Sequence, residues 1–510
     1  MKPALVLAAA LALSAAAAPT ATAATAATPA APAAPADKAA AADPPERFRH
    51  QALAWGPCQD PELAAAGAEC ATLTVPLDYR APDGRTLPLA VSRIRSADPA
   101  ARHGVLLSNP GGPGERALAL PVALRDRLAP ATAAAYDLIG MDPRGVGASG
   151  GLDCGLNHGT WLRSAGSGAA GFRESWRLAK ADADACLGKY PDLLPHLTTR
   201  NTARDLDVLR SALGEQRASF FGQSYGALLG AVYAQLYPGR VDRLVLDSAP
   251  DPDRYGVRTL QDMGAANERA LDDFAAWAAP RDDRYRLGAT AAAVRATVQG
   301  LVRRAEAAPI GIDGFRLDGA LLPFLLTVCQ GDDRDSADYA DVLRQLLDAA
   351  DGRPVQASPT LHALLTAVLA PDPQAGADLA AAIGYLCDDV AMPRSPGWYA
   401  AAVERSRATR PLFGPVFNGP TPCASWPTDP QEPFVQVRNA VPALQIQSTG
   451  DTHAPYAGAL ALHARLSASR LLTVPGRIHT VLLNGYSPCA QRAVDAYLST
   501  GVLPPADATC

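Results

Sequence analysis

Gly222-Gln223-Ser224-Tyr225-Gly226 is a G-x-S-x-G turn set between the apolar run Ser219-Phe220-Phe221 and a helix-forming run from Ala227 to Tyr237. A serine hydroxyl is a weak nucleophile, so a chain that uses one must lift it clear of the backbone and supply a base. A strand-turn-helix with glycine on both flanks does the first, because the strand and helix can then approach closely around a strained turn. The pattern predicts a nucleophile elbow with Ser224 at its tip. In such an arrangement the orienting acid and then the base follow later in the chain. Of the eight histidines, His453, His463 and His479 lie beyond both Ser224 and a candidate acid. His453 shares a loop with that acid and His463 falls inside a helical run, whereas His479 sits in Pro475-Gly476-Arg477-Ile478-His479-Thr480, just past an apolar strand. His479 is the expected base. Asp451, in the loop that follows Ala443 to Ser448, is expected to orient the imidazole and stabilise it when charged. Asp247, in Leu246-Asp247-Ser248, is the substitute, with a role as cap or loop anchor favoured for it.

The developing oxyanion needs donors. Gly104 to Ser108 reads as a buried strand running into Asn109-Pro110-Gly111-Gly112-Pro113-Gly114, whose glycines leave backbone N–H groups accessible. The N–H of Gly112 and that of Tyr225, the residue after the nucleophile, are the expected oxyanion hole. The histidines are scattered, with no H-E-x-x-H or comparable ligand spacing, so neither a metal nor a cofactor is expected.

These residues need a scaffold, and the chain has 510 residues with which to build one. Leu73 to Tyr79 and Leu87 to Ile94 flank Pro82-Asp83-Gly84 and predict an antiparallel hairpin. Apolar runs at 104–108, 136–141, 219–221 and 241–247 alternate with helical periods, the pattern of a mostly parallel sheet flanked by helices. From about 251 to 436 helix follows helix, at 260–277, 290–307, 338–350 and 361–386, without a convincing strand. Strand runs resume at 443–448 and 470–474. The expected organisation is an α/β-hydrolase core in two parts, 44–250 and 437–510, with 251–436 inserted as a helical cap over the site.

Residues 1–24 have the charged start and short apolar centre of a secretory signal, and 25–43 form an Ala/Pro-rich leader too poor in large side chains to order. No cysteine precedes Cys58 and no later run is apolar enough to span a bilayer, so export to the medium or periplasm without membrane insertion is expected. A net charge of −5 supplies no basic field for nucleic acid. Nine cysteines in an exported chain imply disulfides and one leftover thiol. Pairing neighbours joins Cys58 to Cys70, Cys154 to Cys186, Cys387 to Cys423 and Cys489 to Cys510, leaving Cys329 as a buried thiol.

With these motifs in hand, the chain from about Trp55 to Cys510 resembles the exported tripeptidyl aminopeptidases, α/β-hydrolases related to the prolyl aminopeptidases. The resemblance rests on Asn109 to Gly114, Tyr136 to Gly147, Thr199 to Gly230, Asp451-Thr452-His453-Ala454-Pro455-Tyr456, His479 and the Cys489 to Cys510 tail. One departure is Pro110, where prolyl aminopeptidases usually carry histidine before Gly-Gly-Pro-Gly. The resemblance implies catalysis by Ser224, Asp451 and His479, and release of short peptides such as tripeptides from free N-termini. An exported carboxylesterase or lipase would use the same triad, and a hydrolase scaffold retained only for binding is a third reading, opposed by the presence of both nucleophile and histidine. An aminopeptidase must neutralise a buried ammonium with a carboxylate. Asp388 and Asp389, or Asp332, Asp333 and Asp335, are the expected anchors in the cap.

Overall fold

The computed structural model describes residues 45–156 and 162–510, so the expected signal segment and leader lie outside the described residues. The strands are β1 (Gly56–Pro57), β2 (Glu69–Pro76), β3 (Thr86–Ile94), β4 (Gly104–Asn109), β5 (Tyr136–Met141), β6 (Ala218–Gln223), β7 (Val241–Asp247), β8 (Ile310–Ile312), β9 (Phe315–Leu317), β10 (Ala443–Ser448), β11 (Ser469–Val474) and β12 (Ala508–Thr509). Ten of them form one sheet in the order β1-β2-β3-β5-β4-β6-β7-β10-β11-β12. The pairs β1/β2, β2/β3 and β3/β5 are antiparallel and the remaining neighbours are parallel. This is the α/β-hydrolase arrangement expected from the sequence.

Central strands of such a sheet are covered on both faces, which is why they read as unbroken apolar runs. Leu107, Phe220 and Leu246 face the helices Thr199–Ala212 and Tyr225–Leu236, the second of which is buried along its whole length. Leu106, Phe221 and Val245 face the helices Leu120–Arg127 and Pro488–Thr500 on the other side. The alternation of side chains along each strand sends one set to each layer.

Within 251–436 the helices Val257–Ala278, Ala291–Ala307, Leu322–Cys329 and Ser336–Ala350 contribute to a second apolar cluster. Two expectations are corrected here. The segment is interrupted by strands, since β8 and β9 form a small antiparallel hairpin around Asp313 and Gly314, both at positive φ. The single helical run expected over 361–386 is two helices, Pro359–Leu369 and Pro373–Asp389, because Pro371 and Pro373 cannot continue the hydrogen-bond ladder. The second of these helices belongs to the core by packing: Leu379, Ile383, Tyr385 and Leu386 share the cluster of the sheet. It docks through glycines, as a Cβ on Gly376 would lie 2.1 Å from the carbonyl oxygen of Leu156.

The four disulfides join the neighbour pairs expected from the sequence, and Cys329 is free. By loop-closure entropy each stabilises the fold by about 3 kcal/mol. They fit an oxidising compartment. No helix among the described residues is long and apolar enough to cross a membrane.

Candidate active site

Ser224 stands between the end of β6 and the helix Tyr225–Leu236 with φ 56° and ψ −129°, a conformation costly for a residue with a Cβ. Its neighbours make the turn possible. A Cβ on Gly222 would lie 2.1 Å from the carbonyl oxygen of Gly226, and one on Gly226 would lie 2.3 Å from that of Asn109. The turn is pinned by the Ser224 N–H, which donates to the carbonyl of Asp247 at 2.9 Å. The loop after β4 lies against it: a Cβ on Gly111 would come within 2.9 Å of the Ser224 Cβ and 3.1 Å of the Tyr225 nitrogen. Gly112 and Tyr225 line the same cavity as Ser224, and the Tyr225 hydroxyl is held 2.7 Å from Thr199 Oγ1.

Asp451 is buried at the turn beyond β10. It accepts the N–H groups of His453 and Ala454 at 2.8 and 2.9 Å and the Gln447 side-chain amide at 3.0 Å. His479 Nδ1 lies 2.9 and 3.0 Å from its two oxygens. Burial opposes ionisation of Asp451, but the charge and hydrogen bond of His479 outweigh it and hold the carboxyl below its ordinary range. An ionised carboxylate only accepts, so the imidazole proton sits on Nδ1 and leaves Nε2 free to take another. Burial likewise opposes the imidazolium, yet Asp451 outweighs it and raises His479 above the usual histidine value.

Asp247 takes another position. Its carboxylate is buried, accepts the N–H groups of Val481 and Leu482 at 3.1 and 2.8 Å, and receives the Ser248 hydroxyl at 3.0 Å. Burial pushes it up to about 6. It anchors the loop just past His479. His453 lines the Ser224 cavity and stacks on His479, with ring centroids 4.8 Å apart and planes 27° from parallel. His463 is engaged elsewhere, between Ser469 and Asp507. Asp451, His453 and His479 bring one ligating atom each within 4.8 Å of one another, and are the described residues that could hold a metal ion. The hydrogen bond between Asp451 and His479 already engages Nδ1 and the carboxylate.

The cavity at Ser224 measures about 530 Å³, and Leu162, Leu260, Met263, Leu379 and Leu386 give it an apolar wall. Its acidic groups are Glu115, Asp372 and Asp378. The anchors expected from the sequence lie elsewhere. Asp388 and Asp389 are 2 % and 4 % exposed and border a different, minute cavity. Asp389 is consumed by the Thr199 N–H and hydroxyl at 2.7 and 2.5 Å, and Asp388 receives the Trp426 indole N–H at 3.1 Å. Asp332 pairs with Arg334, while Asp333 receives the Tyr486 hydroxyl and the Arg477 N–H. Glu115 had a positional signal in the sequence, since it directly follows Gly111-Gly112-Pro113-Gly114. Asp378 had none.

Residues 104–306 match the family model described as alpha/beta hydrolase fold, and 410–510 match that of TAP-like protein. The tripeptidyl aminopeptidase of Streptomyces lividans is 34% identical over 91% of this chain and 87% of its own length. Serine protease Hip1 of Mycobacterium tuberculosis is 29% identical over 90% of this chain and 91% of its own. Carboxylesterase B of the same organism is 28% identical over 87% and 86%. With its fold, its strained serine turn and a relative of that identity along nearly the whole chain, this protein belongs to the tripeptidyl aminopeptidase family of α/β-hydrolase serine peptidases.

Proposed function

We propose that the enzyme removes short peptides, tripeptides among them, from free N-termini through an acyl-enzyme on Ser224. His479 takes the serine proton through Nε2 as attack begins and returns it to the leaving amine. Asp451 fixes the tautomer and stabilises the imidazolium. The N–H groups of Gly112 and Tyr225 receive the oxyanion, and water then repeats the sequence to free the peptide. The segment 251–436 acts as a cap that closes over the acyl pocket. Export completes the proposal, supported by the four disulfides.

One observation carries the exopeptidase reading: the largely apolar cavity at Ser224 has carboxylates in its wall. Such a pocket penalises an ammonium unless a carboxylate meets it. Among the described residues no ion pair or hydrogen bond engages the Glu115 side chain, so its carboxylate is available to one. An esterase acting on neutral acyl groups gains nothing from acids there.

Peptide anilides of one to four residues, each with its N-acetyl counterpart and alongside butyrate esters, test this. Cleavage of free-amine tripeptides with a loss of at least about a hundredfold in kcat/KM on acetylation is expected, the scale of an unpaired buried charge. Equal cleavage of acetylated peptides or of esters would favour an endopeptidase or an esterase.

A further inference from the structure

The cavity at Ser224 has a neighbour. Glu115, Arg116 and Asp378 line it and also line a second cleft of about 960 Å³, bordered by Thr72 of β2 and Ala90 of β3. Arg116 Nε lies 3.3 Å from Asp378 Oδ2, and Asp378 Oδ1 accepts the Gln374 side-chain amide at 3.2 Å. The three residues stand where the two spaces meet.

The contacts around this wall are tight. A Cβ on Gly114 would lie 2.5 Å from the carbonyl oxygen of Asp378, so the loop before Glu115 presses directly on the helix Pro373–Asp389. A Cβ on Gly147 would lie 2.7 Å from Arg116 Cγ, so the stem of Arg116 rests in a space that only glycine leaves open. Loop and helix therefore hold the two charges in place, while the bridge itself is half exposed on the arginine side.

We propose that the Arg116–Asp378 ion pair, with Glu115 beside it, is the partition that limits how many substrate residues fit on the amino side of the scissile bond. The proposal rests on the aminopeptidase reading above. Each extended residue adds at most about 3.6 Å, so a fixed wall sets a maximum count. An opening into a cleft of about 960 Å³ would make room for more residues. Arg116 and Asp378 are positioning residues for length selection, and Glu115 faces the ammonium of a chain that ends at the wall. A partly exposed pair of this kind contributes little to stability, so it can be removed without loss of the fold.

The test uses the intact enzyme and its Arg116→Ala, Arg116→Lys and Asp378→Asn variants, on free-amine peptides of four to ten residues and their N-acetylated counterparts, with fragments identified by mass spectrometry. The parent is expected to release one short length. Arg116→Ala and Asp378→Asn are expected to raise the share of longer fragments at least fivefold, while Arg116→Lys, which keeps the charge, restores the parental length. Fragment lengths unchanged in both disruptive variants, with only the rate altered, would overturn the partition while leaving the aminopeptidase reading intact. Equal cleavage of free and acetylated peptides by the parent would instead overturn that reading, and the partition with it.

Discussion

The buried carboxylate of Asp247 accepts the backbone N–H of Leu482 at 2.8 Å, three residues past the histidine whose Nδ1 is hydrogen-bonded to Asp451 instead. Two acids thus serve one loop: Asp451 holds the His479 ring and Asp247 holds the backbone behind it. An amide at 451 cannot accept on both oxygens and would favour the wrong imidazole tautomer. Asp451→Asn is expected to lower kcat about ten-thousandfold, the effect of the same change in a serine protease triad. An amide at 247 would turn its NH₂ toward a backbone N–H and leave that donor unsatisfied. Asp247→Asn is expected to cost about 1–3 kcal/mol of stability and keep kcat within about a hundredfold of the parent. Denaturant unfolding and steady-state kinetics on both variants check this, and parental turnover in Asp451→Asn would reverse the assignment.

The pH profile follows from the same pair. Burial disfavours the His479 imidazolium, but Asp451 outweighs it, and Asp247 and Glu115 add to the rise. A base must be neutral, so kcat/KM is expected to climb with pH through a step above about 6.5, the ordinary histidine value. The stability linkage has the opposite sign. A histidine raised on folding contributes fully below its unfolded value, and that contribution is lost as pH rises through the folded one. Asp451, held low, contributes above its ordinary value and loses its share as pH falls through the folded one. A profile flat from about pH 5 to pH 8 would speak against His479 as the base.

His453 separates packing from proton transfer. Burial, and then the charge of His479, push it down to about 4, so it stays neutral through the working range. Its stacked ring shields one face of His479 from water. His453→Ala would admit water there, relieve part of the burial that disfavours the imidazolium, and move the kcat/KM step to higher pH. Plateau turnover is expected to fall about ten- to a hundredfold as His479 loses a wall. Removal of Ser224 or His479 is expected to cost about a millionfold, and a loss of that size in His453→Ala would make His453 the base.

What the sequence discloses about this site depends on how far the causes extend along the chain. The elbow is local: Gly222 and Gly226 are needed because of contacts within a few residues, so the motif alone announces the turn. The pairing of Asp451 with His479 follows from two loops at the ends of neighbouring parallel strands, and strand order is readable from apolar runs. Asp388 and Asp389 are not the expected anchors because their carboxylates are taken up inside the protein, away from the Ser224 cavity. The groups that bury them, Thr199 and Trp426, come from segments whose arrival no local pattern announces. Asp378 meets Arg116 only because Gly114 and Gly147 let a loop and a helix close on one another. The β8–β9 hairpin leaves no legible apolar run because each strand is three residues long, although Asp313-Gly314 carries its turn.

The buried pair at 388 and 389 has a consequence of its own for stability. Burial, partly offset by the Trp426 indole, pushes Asp388 up to about 8, and Asp389 rises to about 7 for the same reason despite the hydrogen bonds from Thr199. One oxygen of Asp388 has no partner. An acid raised on folding binds its proton more tightly in the folded state, so stability falls as pH rises from the unfolded value near 4 to the folded value. Asp388→Asn keeps an acceptor for Trp426, places a neutral NH₂ where the protonated acid has its hydroxyl, and removes this titration. The variant is expected to match the parent within a few degrees in Tm at pH 5 and to exceed it clearly at pH 9. Other titrating groups cancel in the difference between the two proteins. Scanning calorimetry at both pH values reads it directly, and a Tm difference that is the same at pH 5 and pH 9 would show that Asp388 is already ionised in the folded chain.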